Sequence, residues 1–185
     1  WMCLQEDLRR AGIDPGEIDR VPDKSMSENA DALREGKVDV IQVFEPFVQS
    51  LINEGVGHVW YAAAARGLTS YTTYYASISY CRQERDTLFG LTRSLYRTQT
   101  WLHAASSSEI AATVHKYFPE LSAPVLEGSI SHYRKLAVWG RDPRLAKTGF
   151  LRLKMALISG DFIKRDTPYE QCVDPSIAEA VMAER

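Results

Sequence analysis

Apolar positions recur along most of this chain at helical spacing. Trp1, Leu4, Leu8 and Ala11 lie three or four apart, and Gly12 supplies a stop, so a first helix is predicted there. Ser25 and Glu28 have the spacing of a capping box, which predicts a helix from Ser25 to Gly36. The pattern then changes. Val38 to Phe44 is apolar on both faces, the mark of a parallel strand covered on both sides. Pro46 suits the first turn of a helix ending near Gly55, and "HVWYAAAA" reads as another strand. Thr69 to Tyr80, "TSYTTYYASISY", is rich in β-branched and aromatic residues and predicts a long strand.

Beyond residue 80 the prediction is mostly helical. Leu88, Leu91, Leu95 and Leu102 mark one amphipathic helix. Ser106 with Glu109 forms a second capping box, opening a helix that Pro119 stops. Further helices follow Ser122, Asp142-Pro143 (ending at Gly160) and Asp174-Pro175. Alternation of helix and strand in the first third indicates an α/β sheet. The natural division falls near residues 67–75, between an α/β part and a helical part.

Composition narrows the partners. A net charge of -2 over 185 residues, with no basic cluster, argues against nucleic acid. No apolar run reaches the ~20 residues needed to span a bilayer, so no membrane insertion is expected. Cys3, Cys81 and Cys172 are far apart, and the four histidines show no paired metal spacing. No metal or other cofactor is expected. The chain opens inside a helical pattern without Met or leader, and is expected to be a fragment or processed chain lacking its front half.

Glu45 ends the apolar run "GKVDVIQVFEPF", and a carboxylate in an interior needs a partner. Two readings stand level. Glu45 caps the following helix, or it faces a cleft beyond a strand end and accepts hydrogen bonds from an amine-bearing ligand. Tyr71, Thr72, Thr73 and Tyr75 either form a core strand with cross-strand ring pairs or wall a ligand pocket. Asn29 is either a helix-surface residue or a further polar contact, and Trp139 is better read as core than as a stacking residue.

The segments "NADALREGKVDVIQVFEPFVQSLINEG", "YTTYYAS", "VHKYFPEL", "LAVWGRDPRLAKTGFLRL" and "ISGDFIKRDTPYEQCVDPSIAE" occur in an order that resembles a known family. It is that of the periplasmic substrate-binding proteins related to thiamine-pyrimidine synthesis enzymes, which also holds sulfonate-, nitrate- and taurine-binding components. The resemblance implies a type II periplasmic-binding-protein fold, α/β, with two lobes joined by crossing hinge strands. Residues 1–67 would be the later part of lobe 2, 68–80 the crossover strand, and 81–185 the mostly helical C-terminal part of lobe 1. The N-terminal part of lobe 1 would be missing.

The resemblance also implies a function. The chain would be an extracytoplasmic solute-binding protein that hands a small ligand, such as a thiamine-pyrimidine precursor, to the permease of an ABC importer. It would be periplasmic or cell-surface anchored, with a signal peptide or a lipid anchor in the missing N-terminus, and no enzyme. Glu45, Tyr71, Thr72, Thr73, Tyr75 and Asn29 would contact the ligand. The alternative is a pyrimidine-synthase-like enzyme on the same fold, using iron and pyridoxal phosphate. Such an enzyme carries a cysteine-rich run where this chain has "YTTYYAS", and the nearest cysteine here is Cys81.

Overall fold

A computed structural model describes residues 1–184, and their regular elements are helices joined by turns and irregular segments. Ten α-helices are described: α1 (Met2–Arg10), α2 (Met26–Arg34), α3 (Phe47–Asn53), α4 (Ile78–Gln83), α5 (Arg85–Ala104), α6 (Ser107–Val114), α7 (Ala123–Lys135), α8 (Lys147–Ser159), α9 (Tyr169–Cys172) and α10 (Ser176–Ala183). Short 3₁₀ turns lie at Pro15–Glu17, Ala63–Arg66 and His115–Tyr117.

The helix starts follow the sequence signals closely. The Ser25 hydroxyl accepts from the Glu28 N–H at 3.2 Å, and the Ser25 N–H donates to the Glu28 carboxylate at 2.8 Å. That backbone donor holds the Glu28 carboxyl below its ordinary range. Ser106 makes only the first half of the predicted box, accepting from the Glu109 N–H at 3.1 Å. Gly12, Gly36 and Gly55 each sit at positive φ just past a helix, where a side chain would be strained. Asp142-Pro143 does not start α8. Asp142 instead closes a local turn on the Arg144 N–H at 3.0 Å, and α8 begins at Lys147.

The predicted strands do not form, and no strand occurs among the described residues. Residues 38–44 run without helix or ladder, with Val40 and Phe44 exposed. A parallel strand is stable only between partner strands and covering helices, and 38–44 has neither ladder partner. "HVWYAAAA" carries a 3₁₀ turn at Ala63–Arg66, as the alanine run favours a helical backbone over a pleated one. Thr69 to Tyr80 is irregular to Ser77, whose hydroxyl then accepts from the Tyr80 N–H at 3.2 Å and starts α4. The α/β sheet expected from the sequence is therefore absent from the described residues.

The chain divides into two compact units. Residues 1–18, 63–103 and 140–184 form the first, and residues 19–62 and 104–139 the second. In the first unit α1 packs on α8, and Ala156, Ala178 and Val181 are its buried apolar side chains. Asp7 and Arg66 form a two-pronged ion pair there, with each side chain only 11% exposed. In the second unit α7 packs against both α3 and α6, and α2 against α3. Its buried apolar residues are Ala30, Leu51, Ala105, Ile110, Ala111, Leu126 and Ile130.

Candidate functional site

The chemistry of the second unit gathers where α3 meets α7. Residues 129, 132 and 133 fall on one face of α7 because helical neighbours repeat at three and four positions. That face meets Glu45, which stands two residues before α3, ahead of its N-cap Pro46. Its side chain is 3% exposed. A buried carboxylate is tolerated only when charged or polar donors surround it, and here they do. His132 Nδ1 lies 2.5 Å from Glu45 Oε1. The Gln49 backbone N–H donates to Oε2 at 2.9 Å, satisfying a free donor of the first turn of α3. Ser129 Oγ stands 3.3 Å from the same oxygen and 2.8 Å from the Val125 carbonyl, so its one proton serves both.

The backbone of Glu45 is fixed as well. Its N–H donates to the Tyr133 hydroxyl at 3.2 Å. Burial pushes the Tyr133 phenol above its ordinary value, the Glu45 N–H works against that shift, and the negative charge of Glu45 adds to it. The Tyr133 ring meets Trp139 edge to face, with centroids 5.9 Å apart. Trp139 is half-buried and outside the buried core, with its ring packed on Tyr133.

Beside this network lies an open groove of about 270 Å³. Gln49 and Ile52 of α3 and Gly128, Ser131, His132 and Lys135 of α7 line it. The Gln49 side chain lies against α7 where Gly128 has none, since a Cβ there would stand 2.5 Å from Gln49 Cδ.

The other residues singled out in the sequence divide between the two units. Asn29 shares the second unit and sits half-buried in α2, its N–H on the Ser25 carbonyl at 3.0 Å. Tyr71, Thr72, Thr73 and Tyr75 belong to the first unit. They are exposed, Tyr75 to 97% and Tyr71 to 77%, so they form no core strand here. His132 is the residue that sequence reasoning missed. The spacing of Ser129, His132 and Tyr133 put them on one helix face, but nothing local told that Glu45 would meet that face. Among the described residues no three His, Cys, Asp or Glu side chains come together as a metal site. No described helix is long and apolar enough to cross a membrane.

Comparison with known proteins assigns the class. The NMT1-like family matches residues 1–116, well over half of the chain, and the chain belongs to that family. A protein of Bacillus subtilis (strain 168) named "Putative binding protein YtlA" is 28% identical over 180 residues, which covers 96% of this chain and 54% of that protein. The chain thus spans about half the length of the curated relative it matches. No solved structure matches it.

Proposed function

We propose that the chain is part of a solute-binding protein that delivers a small ligand to an importer of the ABC type. The observation that carries this reading is the likeness, over nearly the whole chain, to a relative named as a binding protein. Membership of the NMT1-like family supports it. The protein acts outside the cytoplasm, in the periplasm or anchored at the cell surface, and performs no chemistry on its ligand.

The ligand on this reading is a small nitrogen-bearing heterocycle of the thiamine-pyrimidine kind. Tyr71, Thr72, Thr73 and Tyr75 offer it exposed rings and hydroxyls. Glu45 is the polar anchor and Asn29 a further contact. A carboxylate has about four acceptor positions, and His132, Gln49 and Ser129 take three of those on Glu45. Loss of a charged hydrogen-bond partner costs about 1.5–3 kcal/mol, so Glu45→Gln should weaken binding to that extent.

The test is native mass spectrometry of the complete gene product, followed by thermal shifts against thiamine pyrimidines, riboflavin, taurine, an aromatic carboxylate, and pyridoxal phosphate with iron. Stabilisation by one neutral or cationic heterocycle, without turnover, supports the reading. Retained iron or pyridoxal phosphate overturns it in favour of catalysis. A taurine or carboxylate hit keeps a binding role but removes Glu45 from the contact set.

A further inference from the structure

We infer that the groove between α3 and α7 is a site for a small organic anion, held by Ser131, His132 and Lys135 with its carbon part on Ile52. The inference does not rest on the heterocycle reading, because it concerns His132 Nε2 and not Glu45. Its basis is the way His132 is held. Glu45, buried behind it, grips Nδ1 at 2.5 Å. With Nδ1 committed to that bond, the ring has only Nε2 left to offer, and its half-buried edge lines the groove. Among the described residues, Nε2 of His132, Oγ of Ser131 and Nζ of Lys135 make no hydrogen bond or ion pair to protein.

The Ser131 hydroxyl and the Lys135 ammonium therefore open as donors on one cavity, beside His132 Nε2, which donates when the ring is protonated. When His132 is protonated its Nε2–H donates, and the Lys135 ammonium and Ser131 hydroxyl donate beside it. Charge-assisted bonds of this kind are the strong ones for carboxylates and related oxyanions. No acidic side chain lines the groove. Glu45 is not among the lining residues, and its carboxylate is engaged by His132, the Gln49 N–H and Ser129. Ile52 supplies the one apolar wall, and Gly128 contributes no side chain to fill the space. The size, about 270 Å³, fits a molecule of a few carbons.

A simpler account of the two cations is that they complement the C-terminal end of α7, where positive charge is favoured. That account covers Lys135 and His132. It does not cover the grip of a buried carboxylate on Nδ1, nor the hydroxyl of Ser131 on the same wall.

The experiment is solution NMR of the full chain, titrated with butyrate and, separately, with its neutral amide butyramide. The imidazole resonances of His132 and the side-chain ammonium of Lys135 are followed. Saturable shifts at both residues with butyrate, and none with butyramide, are expected. Lys135→Met, at an exposed position, should weaken butyrate about tenfold, the effect of one charged hydrogen bond. His132→Gln should do the same where it stays folded, as its amide spectrum will show. Linear, unsaturated shifts spread over many lysines would mean ion screening only and overturn the site. Equal response to butyramide, or undiminished butyrate binding by Lys135→Met, would overturn it as well.

Discussion

Glu45 and His132 stand 87 positions apart in sequence and 2.5 Å apart in space. The pair ties the entry to α3 to the last turn of α7, and it answers why an apolar run should end in a carboxylate. The charge is buried because its donors come with it. Glu45→Ala removes the acceptor for the imidazole, for the Gln49 N–H and for Ser129. Leaving these three donors without their buried acceptor costs about 3–5 kcal/mol together. His132 keeps 23% of its side chain in solvent, which lowers the figure to about 2–3 kcal/mol. Glu45→Gln keeps an acceptor for Gln49 and should cost about half as much. Urea unfolding midpoints of the two variants, compared with the parent, check both values. Equal midpoints for all three would mean that the pair contributes nothing.

How much of this was legible beforehand differs between the two ends of the pair. Glu45 stood out locally, since a carboxylate after Val38 to Phe44 breaks an apolar pattern. Both of its readings bear on the structure: the Gln49 N–H bond is the helix-end role, and the contact role is untouched by it. His132 gave no such signal, because its partner lies in a distant segment and long-range pairing is not written in periodicity. Helix starts at Ser25 and Ser106 were legible for the opposite reason, as their caps close within three residues. The strands at 38–44 and 69–80 were read from residue types that fit a pleated surface. Whether such residues form a strand depends on neighbours, and Ser77 and the alanine run offered helical alternatives that close locally.

A second long-range pair holds the first unit. Arg66 Nε donates to Asp7 Oδ1 at 2.9 Å, a second guanidinium nitrogen meets Oδ2, and both side chains are 11% exposed. Asp7→Ala removes the carboxylate that this guanidinium pairs with in a nearly closed site, with an expected cost of about 3 kcal/mol. Asp7→Asn keeps one acceptor and should cost clearly less. Because this pair and Glu45–His132 share no residues, the Asp7→Ala and Glu45→Ala losses should add within about 0.5 kcal/mol. A double variant measured by urea unfolding tests that sum.

Acid should weaken the fold in a definable window. The Arg34 hydrogen bond holds Glu54 below its ordinary 4.5, and Arg93 does the same for Glu184. Arg144 holds Asp142 below 3.8, and Lys147 holds Glu170 below 4.5. Each of these carboxyls is more acidic folded than unfolded. Their contribution is therefore present above the ordinary values and lost as pH falls through the lowered ones. Urea midpoints should be flat between about pH 7 and 5 and decline below that. The pairs are exposed, so salt should flatten the decline. Arg93→Met should make it shallower by removing one contributor, while an unchanged acid limb would exclude the Glu184 pair from it.

Two helical glycines should respond differently to alanine. In a helix interior alanine is favoured over glycine by about 0.8–1 kcal/mol. At Gly128 the added Cβ meets the flexible Gln49 side chain, Cδ at 2.5 Å and Cγ and Oε1 at 2.8 Å. Gln49 can swing away, giving up its 2.7 Å bond to Asn53 Oδ1, which is worth about 1 kcal/mol. Gly128→Ala should therefore stay within about 0.5 kcal/mol of the parent. At buried Gly149 the Cβ would lie 3.1 Å from both the backbone nitrogen and the hydroxyl of Ser70. That backbone is tethered, because the Ser70 N–H donates to the Gly149 carbonyl at 3.1 Å. Relief requires moving α8 away from residue 70, and overpacking of this kind costs about 1–3 kcal/mol. Gly149→Ala should thus be net destabilising by about 1 kcal/mol even after its helix gain. If its urea midpoint instead matches or exceeds that of Gly128→Ala, the close seating of α8 on residues 69–70 is not tight in solution.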